Sequence, residues 1–148
     1  MRYSQARQGR IFVIRLEDGD ILHKEIEDLA RKEGIAAGVL VVVGGADSGS
    51  RLISGPLEGR AESIVPMESI LKNVHEAAGT GTLFPDDEGN PVVHVHLACG
   101  RKGDPAQVGC IRSGVAVWQV MEVVLLELLD SSGVRRPDEA TGFKLLDP

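Results

Sequence analysis

Helical periodicity stands out in one stretch of this 148-residue chain, and most of what surrounds it is patterned for strands. Asp20 sits where a helix N-cap belongs. Behind it Ile21, Leu22, Ile26, Leu29 and Ala30 recur at helical spacing, while Glu25, Glu27, Asp28, Arg31, Lys32 and Glu33 fall on the wet side. Gly34 follows at the place where a left-handed glycine closes a helix.

The strand signals begin at residues 10–16, RIFVIRL, with Ile11, Val13 and Arg15 on one face and Phe12, Ile14 and Leu16 on the other. Residues 36–43 form an unbroken apolar run ending at Gly44-Gly45, the pattern of a strand buried on both faces. Residues 50–54 read as a short strand, and residues 63–72 follow no clear period. Residues 80–84 and 92–99 read as a hairpin around a polar turn at 85–90. A second turn at 100–105 leads into residues 107–112, and residues 115–129 form a long apolar strand with room for a bend. The tail is polar except for Phe143, Leu145 and Leu146, which are expected to dock. One main helix among six to eight strands, mostly joined by hairpins, predicts a single α+β domain over 1–148 built on an antiparallel sheet. So thin a layer seldom covers both sheet faces, so a homo-oligomer is expected.

Composition narrows the function classes. The chain is 43% hydrophobic and 26% charged, the balance of a globular protein, with a net charge of −6. An acidic chain lacks the electrostatic footprint of a protein that grips phosphate backbones, so DNA is a disfavoured partner. Three Phe, one Tyr and one Trp are also too few to build stacking platforms for single strands. The first residues contain no apolar signal core, and the apolar runs are short or interrupted by Gln119, Glu122 and Glu127. The expectation is a cytoplasmic protein with no membrane span, its two cysteines, Cys99 and Cys110, reduced.

The concentrated chemistry lies at His94, His96 and Cys110. Side chains at i and i+2 of a strand share a face, with Cα atoms roughly 6.5–7 Å apart, so the two imidazoles can converge on one ion. A hairpin symmetric about Gly103 puts Cys110 directly opposite His96, on the same face; a one-residue slip would turn it away. The same reasoning on the preceding hairpin, with ends near Phe84 and Pro91, sets Gly81 beside His94 and Gly79 beside His96, leaving open space above the rings. His75 has matching parity further along that strand and is a candidate fourth ligand or supporting group.

Zinc suits nitrogen and sulfur donors, and three ligands leave an open position of the catalytic type. The alternative is a pair of structural histidines bonded to main-chain groups. Cys99, of opposite parity, reads as a core residue. Glu122 interrupts an apolar strand, as either a general base near a metal-bound water or an edge carboxylate paired with Arg112 or Arg101. Arg112 and Arg101 are candidates for holding a small anionic ligand.

At these residues the chain resembles the PPC domain, a family shared by plants and prokaryotes. The matching pieces are residues 9–16 (GRIFVIRL), the helix after Asp20, 42–46 (VVGGA), 79–84 (GTGTLF), 91–96 (PVVHVH), 108–111 (VGCI), 121–125 (MEVVL) and 136–143 (RPDEATGF). The resemblance implies a compact sheet with a helix against it, in a homotrimer with sites near subunit contacts. It also implies likeness in fold to the acetolactate decarboxylases, which hold zinc with three histidines, and hence a metal-dependent lyase or hydrolase as one alternative. Carried onto this chain, the histidine pair is His94 and His96, and Cys110 stands at the third position, where many members have His. Plant relatives join the domain to AT-hooks that contact DNA, which implies a DNA-associated regulator as another alternative; no Arg-Gly-Arg-Pro core occurs here.

Overall fold

A computed structural model describes residues 1–61, 63–139 and 141–148. The elements run in the order β1 (Arg7–Glu17), α1 (Leu22–Glu33), β2 (Gly38–Ala46), β3 (Arg51–Pro56), β4 (Pro66–Ile70), β5 (His75–Pro85), β6 (Pro91–Gly100), β7 (Gln107–Cys110), a 3-10 turn (Ile111–Ser113), β8 (Val117–Leu129), β9 (Val134–Pro137) and β10 (Lys144–Asp147). Eight strands form one sheet in the order β1-β8-β2-β5-β6-β7-β3-β4, every neighbouring pair antiparallel. The tail strands β9 and β10 make a separate two-stranded ribbon. The architecture is α+β, as the sequence predicts, with the ribbon added. Among the described residues no helix is long and apolar enough to cross a membrane.

One face of the sheet is the core. Leu22, Ile26 and Ala30 of α1 are buried together with Leu40, Val42, Leu83, Val95, Leu97, Val123 and Leu125 from the central strands. Full burial of each large side chain contributes roughly 1.5–3 kcal/mol, which is what fastens the helix to the sheet. The helix ends at Gly34 in the left-handed region (φ 67°), its N–H donating to the Ala30 carbonyl. Its start differs from expectation. Ile21, not Asp20, is the N-cap and offers no side-chain bond. The Asp20 carboxylate instead accepts the Glu17 N–H at 2.8 Å, and the Leu22 N–H donates to the Val115 carbonyl at 3.0 Å. The tight β1–α1 turn consumes the carboxylate, and the Val115 carbonyl, in the segment that leads into β8, accepts a helix N–H in its place.

The other face is open in a single chain. β2 alternates instead of being buried on both sides, with Val41 and Val43 each 51% exposed. Val13 lies opposite Val124, Val124 opposite Val41, Val41 opposite Thr80, Thr80 opposite His96, and His96 opposite Cys110. A single row therefore leads across the open face from three exposed valines to the histidine pair. The bend expected in residues 115–129 is present. Gln119 takes a positive φ of 59°, the pairing of β2 with β8 shifts there, and the Gln119 N–H is held by Asp18 at 2.7 Å.

Candidate metal centre

β6 carries His94 and His96 on the open face, while Val95, Leu97 and Cys99 point into the core. The turn around Gly103, itself at φ 92°, returns the chain in the expected register: His96 pairs with Cys110, and Leu97 with Gly109. Cys110 therefore faces the histidines. β7 ends at this point, and the 3-10 turn that follows carries Arg112 to the same cavity. Beyond the end of β7 the edge of β6 is free, and Glu27 of α1 accepts the Val93 N–H at 3.1 Å.

The donor atoms converge. His94 Nε2 and His96 Nε2 are 3.2 Å apart, and with Cys110 Sγ all three ligand atoms lie within 4.8 Å of one another. Two nitrogens bound to one tetrahedral ion at about 2.0–2.1 Å stand about 3.3–3.4 Å apart, so the pair already has ligand spacing. The same spacing suits an N–H···N hydrogen bond between the rings. Among the described residues neither ring is engaged by a main-chain carbonyl, and the rings meet edge to face at 72°. Burial pushes the His94 imidazole below its usual pKa, helped by the nearby charges of Arg135, His96 and Arg112. A neutral ring is the form a metal needs. Cys110 is buried and not in a disulfide. Two imidazoles and a thiol thus fit a borderline-soft divalent ion.

The preceding hairpin corrects one expectation. Pro85 pairs with Pro91, so Thr82 lies beside His94 and Thr80 beside His96; Gly81 and Gly79 face Val95 and Leu97 instead. The glycines do not open space over the rings. A Cβ on Gly79 would collide with the His96 carbonyl oxygen, and one on Gly81 with the His94 carbonyl oxygen, so they allow β5 and β6 to approach closely. The slip has a local cause: the Asp86 carboxylate accepts the Glu88 and Asn90 N–H groups and closes a tighter loop.

That shift also reverses the parity of His75, which is buried on the core face, its Nδ1 2.8 Å from the Asn73 carbonyl oxygen. His75 is outside the donor group and does not supply a fourth ligand. Glu122 lies on β8 with Arg15 and Val43 as its cross-strand neighbours. β2 and β5 separate it from β6, three spacings of about 4.8 Å, so it reaches the donors of its own chain neither as a base nor as a partner of Arg112. Arg101 is not at the centre; it donates to the Val74 carbonyl at 3.1 Å. Cys99 is a core residue with no exposure, its thiol pushed up to about 11 by burial.

The donors open onto a cavity of about 810 Å³, lined also by Arg112, Arg135 and Phe143. Arg135 escaped the sequence reading. It stands in the tail one residue before the RPDEATGF segment, and a parallel bridge to Asp86, just past the end of β5, sets it beside Thr82, the residue paired with His94. Its guanidinium donates to the Thr82 hydroxyl at 3.0 Å. Phe143, Leu145 and Leu146 line the same cavity, so the tail does dock, though each remains partly exposed.

Similar folds are found among solved structures. A metal-containing protein from Archaeoglobus fulgidus superposes with a TM-score of 0.85 at 24% identity, over all of both chains. A plant- and prokaryote-conserved (PPC) protein from Pyrococcus horikoshii gives 0.85 at 23% identity, over 100% of this chain and 98% of that one. A candidate DNA-binding protein from Bacteroides thetaiotaomicron gives 0.76 at 14% identity, over 97% and 98%. At these identities the likeness is one of fold. Among curated proteins, the bifunctional protein GlmU of Synechococcus sp. (strain JA-3-3Ab) is 30% identical over 135 residues, 90% of this chain. The chain spans about a fifth of the length of that relative, which is 20% covered. The model of the Plants and Prokaryotes Conserved (PCC) domain matches residues 3–129, and the chain belongs to that family.

Proposed function

We propose that this chain is a metal-binding PCC-domain protein, assembled as a homotrimer in the cytoplasm, that presents a divalent ion to a small ligand or partner. His94, His96 and Cys110 would hold the ion, and zinc is the best match to two imidazoles and a thiolate. The observation that carries this reading is the 3.2 Å separation of the two Nε2 atoms, with Cys110 Sγ close to both. When bound, such an ion supplies a Lewis acid at a position the protein leaves open. The chain's own residues orient it. Register fixes Cys110 against His96, and partial burial shifts His94 toward the neutral form.

The metal content of the Archaeoglobus structure supports the reading by analogy of fold. The exposed valine row that ends at His96 supports assembly, because a contiguous apolar sheet face is costly to leave in water. Elemental analysis of freshly purified protein tests the metal. About one zinc per chain, lost in His94→Ala with the fold intact by circular dichroism, is the expected outcome. Wild-type protein without metal, and unable to take zinc up, would refute it.

A DNA-associated regulator is the second reading, favoured by the naming of the Bacteroides neighbour. In that role the domain would supply oligomerisation and partner contacts, since a net charge of −6 opposes direct backbone binding. Salt-sensitive retention of duplex DNA at near-physiological ionic strength would favour this reading over the first.

A further inference from the structure

We propose that the cavity beside His94, His96 and Cys110 takes a small carboxylate with an apolar body, its carboxylate held by Arg135. This deepens the reading of the centre as a ligand site and rests on it for the ligand, though not for the metal. Arg135 is only 6% exposed. Among the described residues no carboxylate lies within ion-pair distance of it, although eleven ion pairs are formed elsewhere. One guanidinium nitrogen donates to the Thr82 hydroxyl, and the buried Nε has no partner. Desolvating a guanidinium without a counter-charge is expensive, so buried arginines are nearly always paired. Among the described residues nothing supplies that partner, and an anion from outside the chain would.

The surroundings agree. Arg112 reaches the same cavity, lies 6.0 Å over the Phe143 ring and also lacks a carboxylate partner among the described residues. No described Asp or Glu lines the cavity. Glu27 borders the adjoining space, but its oxygen is engaged by the Val93 N–H. Among the described lining residues Cys110 alone could carry a negative charge to offset Arg135, and a divalent ion held there would more than cancel it. In a chain of net charge −6, a cavity that holds the buried Arg135 and the exposed Arg112, neither paired with a carboxylate among the described residues, is a local reversal of sign. Ile53, Pro56, Leu145 and Leu146 supply apolar walls, which suit an alkyl or aryl body better than a fully hydrated dianion. The volume of about 810 Å³ is that of a small-molecule site. A planar carboxylate matches the fork of a guanidinium in a bidentate pair.

Calorimetric titration tests this with three probes, hexanoate, hexan-1-ol and inorganic phosphate, on chelator-treated and on zinc-treated protein. Hexanoate is expected to bind wild type at least about tenfold more tightly than hexan-1-ol, since charge-assisted bonds carry the difference. Arg135→Gln should erase that preference, and Arg135→Lys should restore part of it. If Arg135→Gln does not fold, the comparison of hexanoate with hexan-1-ol on wild type decides alone. Tighter binding of phosphate than hexanoate, equal binding of acid and alcohol, undiminished hexanoate binding to Arg135→Gln, or no binding to either form would each overturn the proposal. Protein that takes up no zinc yet binds hexanoate through Arg135 would uphold it and sink the metal reading instead.

Discussion

His96 stands directly opposite Cys110 across the β6–β7 pair, and the residue before that cysteine, Gly109, has no room for a Cβ. One placed there would lie 2.5 Å from the Ile53 carbonyl oxygen, on the backbone of β3. The thiol is therefore delivered to the imidazoles by a strand clamped between β6 and β3.

Gly109→Ala follows from this clamp. Backbone on the far side cannot yield as a flexible side chain would, so β7 must shift. The variant should lose about 1–3 kcal/mol of stability and bind metal more weakly than wild type. Urea unfolding and zinc titration check the two effects; wild-type values for both would show that β7 is not constrained as described.

Cys110 should be replaceable only by another metal ligand. Cys110→Ser is expected to weaken zinc by at least about 100-fold, since loss of an outer-shell partner alone typically costs about 10–100-fold. Cys110→His should retain binding. Cobalt substitution separates the cases: wild type should show a sulfur-to-cobalt charge-transfer band, and Cys110→His should bind cobalt without it.

The open sheet face carries its own expectation. Val41 is 51% exposed, at the middle of the row from Val13 to His96, so Val41→Asp should leave the monomer fold within about 0.5 kcal/mol of wild type. Light scattering after gel filtration should find three chains for wild type and one for the variant. A monomeric wild type would contradict the trimer.

Much of the centre was legible because strand parity is unforgiving. A turn centred on Gly103 allows Cys110 either onto the histidine face or off it, and the chain takes the first. The neighbouring hairpin slipped by one residue because Asp86 organises a tighter loop, and that single step turned His75 into the core and exchanged glycines for threonines beside the rings. The β2 run suggested burial on both faces, since Val41 and Val43 do not reveal in sequence what covers them. Arg135 was invisible for a different reason. It reaches His94 through a long-range return of the tail, and no local period encodes that.

Acid should act on a pair remote from the centre. Glu127 is 5% exposed and accepts three hydrogen bonds from Arg10, from its backbone N–H, Nε and an Nη, at 2.8–3.0 Å. Those bonds hold its carboxyl at about 2, against an ordinary 4.5. A depressed carboxyl contributes stability that is fully present above pH 4.5 and is lost as pH falls toward 2. The stability difference between wild type and Arg10→Gln should therefore be largest near neutrality and shrink across that window. Urea unfolding at pH 7, 4 and 3 measures it; a constant difference would show that the pair is not linked to protons in this way.

X-ray absorption at the zinc edge on zinc-loaded protein tests the centre most directly. The account predicts an inner shell with two nitrogens at about 2.0–2.1 Å from imidazole and one sulfur at about 2.3 Å, the sulfur disappearing in Cys110→His. A shell of oxygens alone, or a sulfur that survives that substitution, would contradict it.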